Sequence, residues 1–502
     1  MRAADLVFKS VTLLWVEVAS QAKTSSMAND IWQATAVEQR DAIAAREVSA
    51  SELLEQHLTQ VDDVNPVVNA IVGADVDVAR ATAAVIDQKL ASGQDVGPLA
   101  GLVTAHKDLT ETADFVTTYG CSAFADYRPP VDSLLVSRIK AAGAVAIGKT
   151  NTPEFGAGSH SFNPVYGTTV NPFDPGLSAG GSSGGAAAAL RCGMVSIADG
   201  SDAGGSLRNP AAWNNVVGFR SSARVVPKVA AGNPWSNVAI EGPMARSVDD
   251  LVLLLGVLAQ PDLRDPLNRP LDLPSVIEGP DRPLKVAWSP DLGGLPVDED
   301  ISSVLGRFIK QVEAELGWEI ELATPNLSGA EEVFITLRAL LFGSGIAAGL
   351  GERLSDVKAT VRDEISRGQA LTADQISRAL NHSGLLWRRA VEFFTTYDLL
   401  IAPVTQVSPF PIDQEYPTEV AGKKMNHYIE WMQSNYLISA VGLPALSLPA
   451  GFTSHGLPVG AQLVGGPYGD LGVLSAAKAV ETVTGHASRW PDFAKLARSA
   501  NQ

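Results

Sequence analysis

The chain has 502 residues, 46% hydrophobic and 19% charged, which excludes an intrinsically disordered protein and provides for a sizeable core. A formal net charge of -17 disfavours nucleic-acid phosphates and anionic membranes as partners. The two cysteines, Cys121 and Cys192, form no C-x-x-C pair, so neither a zinc site nor a disulfide framework is expected.

Arg2 and Lys9 precede a short apolar run from Val11 to Val18, which Glu17 interrupts. The run is too short to span a membrane and makes a poor signal peptide, so a cytoplasmic protein is expected, with an exported one as the alternative. Residues 1–26 read as a poorly structured extension, with recognisable structure starting near Met27. Residues 34–62 carry two amphipathic helices, the second capped by Ser49 or Ser51 with Glu52 in its first turn. Asn65-Pro66 is expected to end that pattern. An alanine-rich helix follows over 76–92. Gly101 to Ala105 is a short apolar run that reads as a buried strand and delivers His106, Lys107 and Asp108 to its carboxyl end. A helix over 132–142 precedes a second buried strand at Ala144 to Ile147. Residues 184–193 read as a helix of small residues packed close to a neighbour. Val195 to Ala198, Leu284 to Trp288 and Leu399 to Ala402 are further strand candidates. Short buried strands alternating with helices predict an α/β layered fold. The Pro- and Asp-rich stretch 260–283 reads as a long surface connection.

Two motif matches fail on their context. Residues 143–150, GAVAIGKT, satisfy G-x-x-x-x-G-K-[ST], but Ala144 to Ile147 are themselves the strand. They leave no loop of converging amides for a phosphate beside Lys149. Residues 180–184, GGSSG, match the G-x-S-x-G elbow of an esterase, but loop rather than strand precedes them. The later histidines, His382, His427, His455 and His486, have no distinctive setting to serve Ser182 as base.

Three other segments belong together: GPLAGLVTAHKD (97–108), AGGSSGG (179–185) and GSDAGGSLRNP (200–210). With GKTNTPEFGAGSHSFNPVYGTTVNP (148–172) and VGLPALSLPAGFTSHGLPVGAQLVGG (441–466), they resemble the amidase signature family. The resemblance covers most of residues 35–485, and Ser182 and Ser206 stand 24 positions apart, as the family pattern requires. It implies a large mixed central β-sheet covered by helices on both faces. It also implies one domain over 27–502, with a motif-bearing core at about 70–260 and a variable pocket region at about 285–440.

A serine hydroxyl is a weak nucleophile and needs a base. A lysine serves when burial favours its neutral form. The resemblance implies a triad of Lys107 as base, Ser182 as proton relay after a cis Gly181–Ser182 peptide, and Ser206 as nucleophile. The backbone amides of Ala203, Gly204 and Gly205, with that of Ser206 as a further donor, would hold the oxyanion. Gly156 and Gly158 match positions lining the family's acyl pocket, and Ser183 is a further pocket or helix-capping candidate. Asp202 and Arg208 read as a structural ion pair shaping the loop. Phe334, Leu341, Phe342, Tyr428, Trp431 and Met432 supply apolar pocket or core residues. Ala203 stands where Thr or Ile is common, and Ser221-Ser222 lack the usual Pro. These departures point to a branch other than the tRNA-linked amidotransferase component.

The expected activity is hydrolysis of amides, extending to esters, anilides and carbamates (urethanes). The rivals are a Ser182 esterase and the amidase-like component of a tRNA-dependent glutamine amidotransferase. No cofactor and no metal is expected. The expected partner is a small-molecule amide or carbamate, without nucleic acid or membrane, and a homodimer is compatible with the sequence.

Overall fold

The computed structural model describes residues 30–229 and 233–499. The expectation for residues 1–26 lies outside them. Two β-sheets organise the chain. β1 (Ile71–Val72), β2 (Val103–Lys107) and β3 (Val145–Thr150) form a three-stranded sheet in the order β1-β3-β2. β2 and β3 run parallel, and β1 runs antiparallel to β3.

The larger sheet has eight strands. They are β4 (Ala198–Asp202), β5 (Val217–Arg220), β6 (Ile240–Ala245), β7 (Lys285–Trp288), β8 (Glu319–Leu322), β9 (Leu399–Pro403), β10 (Ala445–Phe452) and β11 (Pro458–Val464). Their order is β8-β7-β9-β11-β10-β5-β6-β4. The β8-β7-β9 end is parallel and every other pairing is antiparallel. The sheet is therefore mixed.

Side chains alternate across a strand, and here both faces are apolar. Leu399 and Ile401 of β9 join the core that includes residues of helices Val248–Leu258, Glu299–Leu316 and Asp470–Thr484. Leu400 and Ala402 join the opposite core, with residues of helices Ala330–Leu341 and Gln433–Val441. Helices thus cover both faces, and the strands between them read as unbroken apolar runs rather than alternating ones.

β4 is the edge of the large sheet and lies against β2. Ser196 N–H donates to Val103 O at 2.8 Å, and Val103 N–H donates to Ser196 Oγ at 3.2 Å. This seam joins the sheets and corrects one expectation. Val195 to Ile197 do not form a strand, because the Ser196 and Ile197 amides both turn to Val103 O. The strand begins at Ala198 and runs to Asp202.

A second correction concerns Pro66. The helix runs from Ala50 through Pro66 to Val68, with Ser49 and Glu52 forming a capping box at its start. Pro66 forgoes a single i→i−4 bond, and the helix ends two residues after it. The stop comes from Asn69 in a left-handed conformation and from Asn65 Oδ1, which accepts the Ala70 and Ile71 amides at 2.8 and 2.9 Å. Residues 260–283 form no helix or strand, as expected, and both cysteines are buried free thiols.

The Gly184–Arg191 helix is buried throughout. Its small residues let it press onto the end of β3. A Cβ at Gly185 would lie 2.3 Å from Asn151 N and 2.7 Å from Ala70 O, both backbone atoms. Gly185→Ala is expected to cost on the order of 3 kcal/mol through forced backbone shifts, read as a lowered melting temperature. A melting temperature equal to wild type would show that the helix can move away.

Candidate active site

Lys107, the last residue of β2, has no exposed surface. Its Nζ donates to Ser182 Oγ at 2.7 Å, Ser183 Oγ at 2.9 Å and Ser201 Oγ at 3.0 Å. An ammonium has three donors and no acceptor, and three hydroxyls meet them. Burial pushes the Lys107 pKa down to about 7, against the pull of Asp199 and Asp202. The neutral amine is therefore accessible near neutral pH.

Ser182 follows a cis Gly181–Ser182 peptide. Ser159 holds this segment from the side. Its Oγ donates to Gly181 O at 2.5 Å and accepts the Gly181 N–H at 3.2 Å. Ser183 occupies the N-cap of the Gly184–Arg191 helix but makes no capping bond. Its hydroxyl is taken by Lys107, and Ser161 Oγ accepts the Gly184 N–H at 3.2 Å instead. Ser183 is fully buried and makes no capping bond, which corrects the capping expectation.

Ser206 sits in a turn built by Asp202. Asp202 Oδ1 accepts the Gly205 N–H at 2.8 Å, and Oδ2 accepts the Leu207 N–H at 3.2 Å. Arg208 clamps the same carboxylate from Nε and Nη2, each at 3.0 Å, and Arg220 approaches to 3.3 Å. Burial opposes ionisation of Asp202, but the two arginines outweigh it and hold the carboxyl well below its ordinary range. Arg208 also reaches Gln462 of β11 and Ser439 of helix Gln433–Val441, tying the turn to the large sheet. The expected ion pair is thus present, with Arg220 as an additional member.

The expected set of amides changes. Gly205 N–H is consumed by Asp202, whereas those of Ala203, Gly204 and Ser206 have no acceptor among the described residues. Gly205 is there for its backbone, with φ 118 and room for no Cβ beside Asn435. Ser206 is 7% exposed, and its Oγ makes no hydrogen bond to a described residue. Its carbonyl accepts the Ser183 N–H at 3.3 Å, which fixes the two serine segments against each other.

Gly156 lies beside Ser182: a Cβ there would be 3.3 Å from Ser182 Oγ. Gly158 faces the Tyr428 ring, 3.7 Å from its virtual Cβ. Gly204 is covered by Phe334, whose ring stacks on Tyr436 at 4.7 Å. Trp431 instead stacks on Trp213 inside the core, beside buried Met432. Phe342 packs under Arg338, and Leu341 is half-buried.

Lys149 is no phosphate ligand. It lies in β3, fully buried, with its Nζ bound to Thr110 O, Thr112 Oγ1 and Thr117 Oγ1. Nor does a histidine hydrogen-bond to Ser182 among the described residues; Lys107 does.

Sequence reading missed Ser201, Asp199, Ser159 and Tyr436. The signal for two of them was present. Asp199 and Ser201 are polar residues at period two in a strand whose neighbours are buried. Such a strand must direct those side chains at a polar partner, and that partner is the end of β2.

Comparison with known proteins bears on this arrangement. The family model Amidase matches residues 52–474. An acylamidase of Rhodococcus erythropolis is 34% identical over 466 residues, covering 91% of this chain and 97% of that protein. A glutamyl-tRNA(Gln) amidotransferase component of Heliobacterium modesticaldum is 30% identical over 494 residues, covering 92% and 99%. Among solved structures, a bacterial aryl acylamidase of the amidase signature family superposes with a TM-score of 0.84 at 29% identity, covering 92% of this chain and 98% of that one. A 6-aminohexanoate cyclic dimer hydrolase superposes with a TM-score of 0.82 at 26% identity, covering 92% and 99%. With the match running through most of its length, the chain belongs to the amidase signature family and is an amidase, a hydrolase of carboxylic amide C–N bonds.

Proposed function

We propose that the protein hydrolyses small-molecule acyl amides, aryl amides included, through an acyl-enzyme on Ser206. The observation that carries this reading is the buried Lys107 amine at 2.7 Å from Ser182 Oγ, on a segment bonded to the Ser206 carbonyl. Ser206 Oγ attacks the amide carbon while its proton passes to Ser182, which gives its own to neutral Lys107. The oxyanion takes the unpartnered amides of Ala203, Gly204 and Ser206. One such donor lowers the barrier by about 2.7–4 kcal/mol. The Lys107 ammonium then returns a proton through Ser182 to the leaving nitrogen, and the C–N bond breaks. Water attacks the ester, its proton goes to Lys107 by the same route, and Ser206 leaves with a proton returned from it. Ser183 and Ser201 hold the lysine in place through each transfer.

The names of two relatives, acylamidase and aryl acylamidase, support the substrate class. So do the aromatic rings against Gly158 and Gly204. Anilides, esters and carbamates present the same carbonyl to the same amides. The amidotransferase relatives favour a second reading, the glutaminase component of a larger assembly. Glutaminase activity that depends on added partner proteins, with no turnover of simple amides, would replace the first.

Two measurements test the mechanism. Lys107→Ala and Ser206→Ala are each expected to lower kcat on the order of a thousandfold or more, and Ser182→Ala about a hundredfold. Near-wild-type anilide turnover by Lys107→Ala would sink the lysine as base. A fluorophosphonate is expected to label Ser206 in the peptide mapped by mass spectrometry. Separately, kcat/KM should rise with pH through about 7, because only the neutral amine accepts a proton and burial has brought the Lys107 pKa to about 7. A profile flat from pH 6 to 9 contradicts this.

A further inference from the structure

We propose that the buried Asp199 carboxylate, held by His106, is a positioning residue that fixes both the backbone and the electrostatic surroundings of Lys107. The proposal rests on the reading of Lys107 as the base. Asp199 and His106 are both fully buried. Asp199 Oδ1 lies 2.7 Å from His106 Nδ1, and Oδ2 accepts the Lys107 N–H at 3.2 Å and the Thr110 hydroxyl at 3.3 Å. A carboxylate only accepts, so the ring nitrogen facing it donates. His106 Nε2 has no partner, so the ring has no other polar contact among the described residues. It is committed to Asp199.

The arrangement substitutes for a strand ladder. β2 pairs with β3 on one edge, with an irregularity between Thr104 and His106. On its other edge Val103 O accepts the Ser196 and Ile197 amides and Lys107 O accepts the Thr110 N–H of the following turn, while no backbone carbonyl accepts the Lys107 N–H among the described residues. At Lys107 the Asp199 side chain takes over that task. It thereby sets the point from which the lysine reaches Ser182, Ser183 and Ser201.

The same carboxylate acts at a distance on the amine. Two negative charges oppose the effect of burial on Lys107, those of Asp199 and Asp202. Asp202 is matched by Arg208 and Arg220. Asp199 has no arginine or lysine ion pair among the described residues, and its salt-bridge partner there is His106 alone. The other charged groups whose fields reach the pair are Lys149 on β3, Glu241 on β6 and Asp132 ahead of helix Leu134–Ala141. Asp199 is thus the less compensated of the two charges acting on Lys107.

The test is the pH profile of kcat/KM for Asp199→Asn, His106→Leu and His106→Asn, with melting curves to establish folding. Asparagine at 199 keeps the shape and removes the charge. The Lys107 ammonium then loses support, its pKa falls, and the acidic limb moves to lower pH by about one unit. Leucine at 106 removes the donor to Oδ1, leaves the carboxylate less compensated towards Lys107, and should move the limb to higher pH by less than about one unit. Asparagine at 106 restores a donor where Nδ1 stood and should return the limb to its wild-type position. KM should change little in all three. A folded Asp199→Asn enzyme with an unmoved limb overturns the proposal, as does a limb that moves to higher pH in that variant. If Asp199→Asn does not fold, an unmoved limb in His106→Leu overturns it instead. Lys107→Ala separates the two readings. If it stays active, the base assignment and this proposal fall together. If it is inactive while the limb of Asp199→Asn is unmoved, only the positioning role fails.

Discussion

The site depends on keeping one amine dry and still. Lys107 is surrounded by protein and touched only by hydroxyls, three of them, with no carboxylate among the described residues in contact with Nζ. A direct Asp or Glu partner would hold the proton on the amine. Hydroxyls instead solvate either protonation state, because each can donate as well as accept. Bringing the lysine from 10.5 to about 7 amounts to on the order of 5 kcal/mol against the charged form. The rest of the fold supplies that energy by enclosure. The Gly184–Arg191 helix presses against β3, and β4 closes against β2, so protein rather than solvent surrounds the amine.

The second constraint is the Ser206 turn. Asp202 spends its oxygens on the amides of Gly205 and Leu207 and on two arginines. Breaking a buried ion pair of this kind is costly, because the partner charges are left without compensation. The turn is therefore rigid, and rigidity leaves other amides free. With those of Gly205 and Leu207 bound, the intervening Ser206 N–H and the preceding Ala203 and Gly204 N–H groups are left without an acceptor among the described residues. In the proposed reaction they cost no reorganisation when charge develops.

Legibility in the sequence followed the distance over which each interaction acts. Lys107, Ser182 and Ser206 lie in short glycine-rich segments, and those segments were legible through their resemblance to the family pattern. The buried strands were legible because enclosure on both faces makes them uniformly apolar. What escaped was set by tertiary packing. Whether a glycine amide is left free or taken by an aspartate depends on the turn: Gly205 N–H is bound by Asp202 and that of Gly204 has no acceptor among the described residues. Ser183 stands where a helix cap belongs, yet Lys107 claims its hydroxyl and Ser161 caps from 22 residues away in sequence. Pro66 reads as a helix breaker, but its effect depends on lying in the last turn. Val195 to Ile197 have strand composition, yet the Ser196 and Ile197 amides converge on one carbonyl of β2.

The two flanks of the site differ in kind. On the Ser182 side, Gly156 and Gly158 have φ of 69 and 96, a region that favours glycine, and they bring the backbone against Ser182 and Tyr428. Tyr428 is in turn held by the Arg338 guanidinium, which is paired with Glu364 at 2.7 Å. That wall is fixed by a buried ion pair and tolerates little change in shape. On the Gly204 side, the Phe334 and Tyr436 rings stack at 4.7 Å, and the Tyr436 hydroxyl bonds Glu331 at 2.9 Å. Glu331 is 47% exposed, so the hydroxyl end of this wall reaches a surface carboxylate, although both rings are buried in the core. A surface carboxylate is solvated whether or not it holds the tyrosine, and its bond is correspondingly weak. The Tyr436 hydroxyl bond is therefore weaker than the Arg338–Glu364 pair that holds Tyr428. The wall beside Gly158 is thus held by a buried ion pair, and the aromatic stack over Gly204 ends on a surface carboxylate.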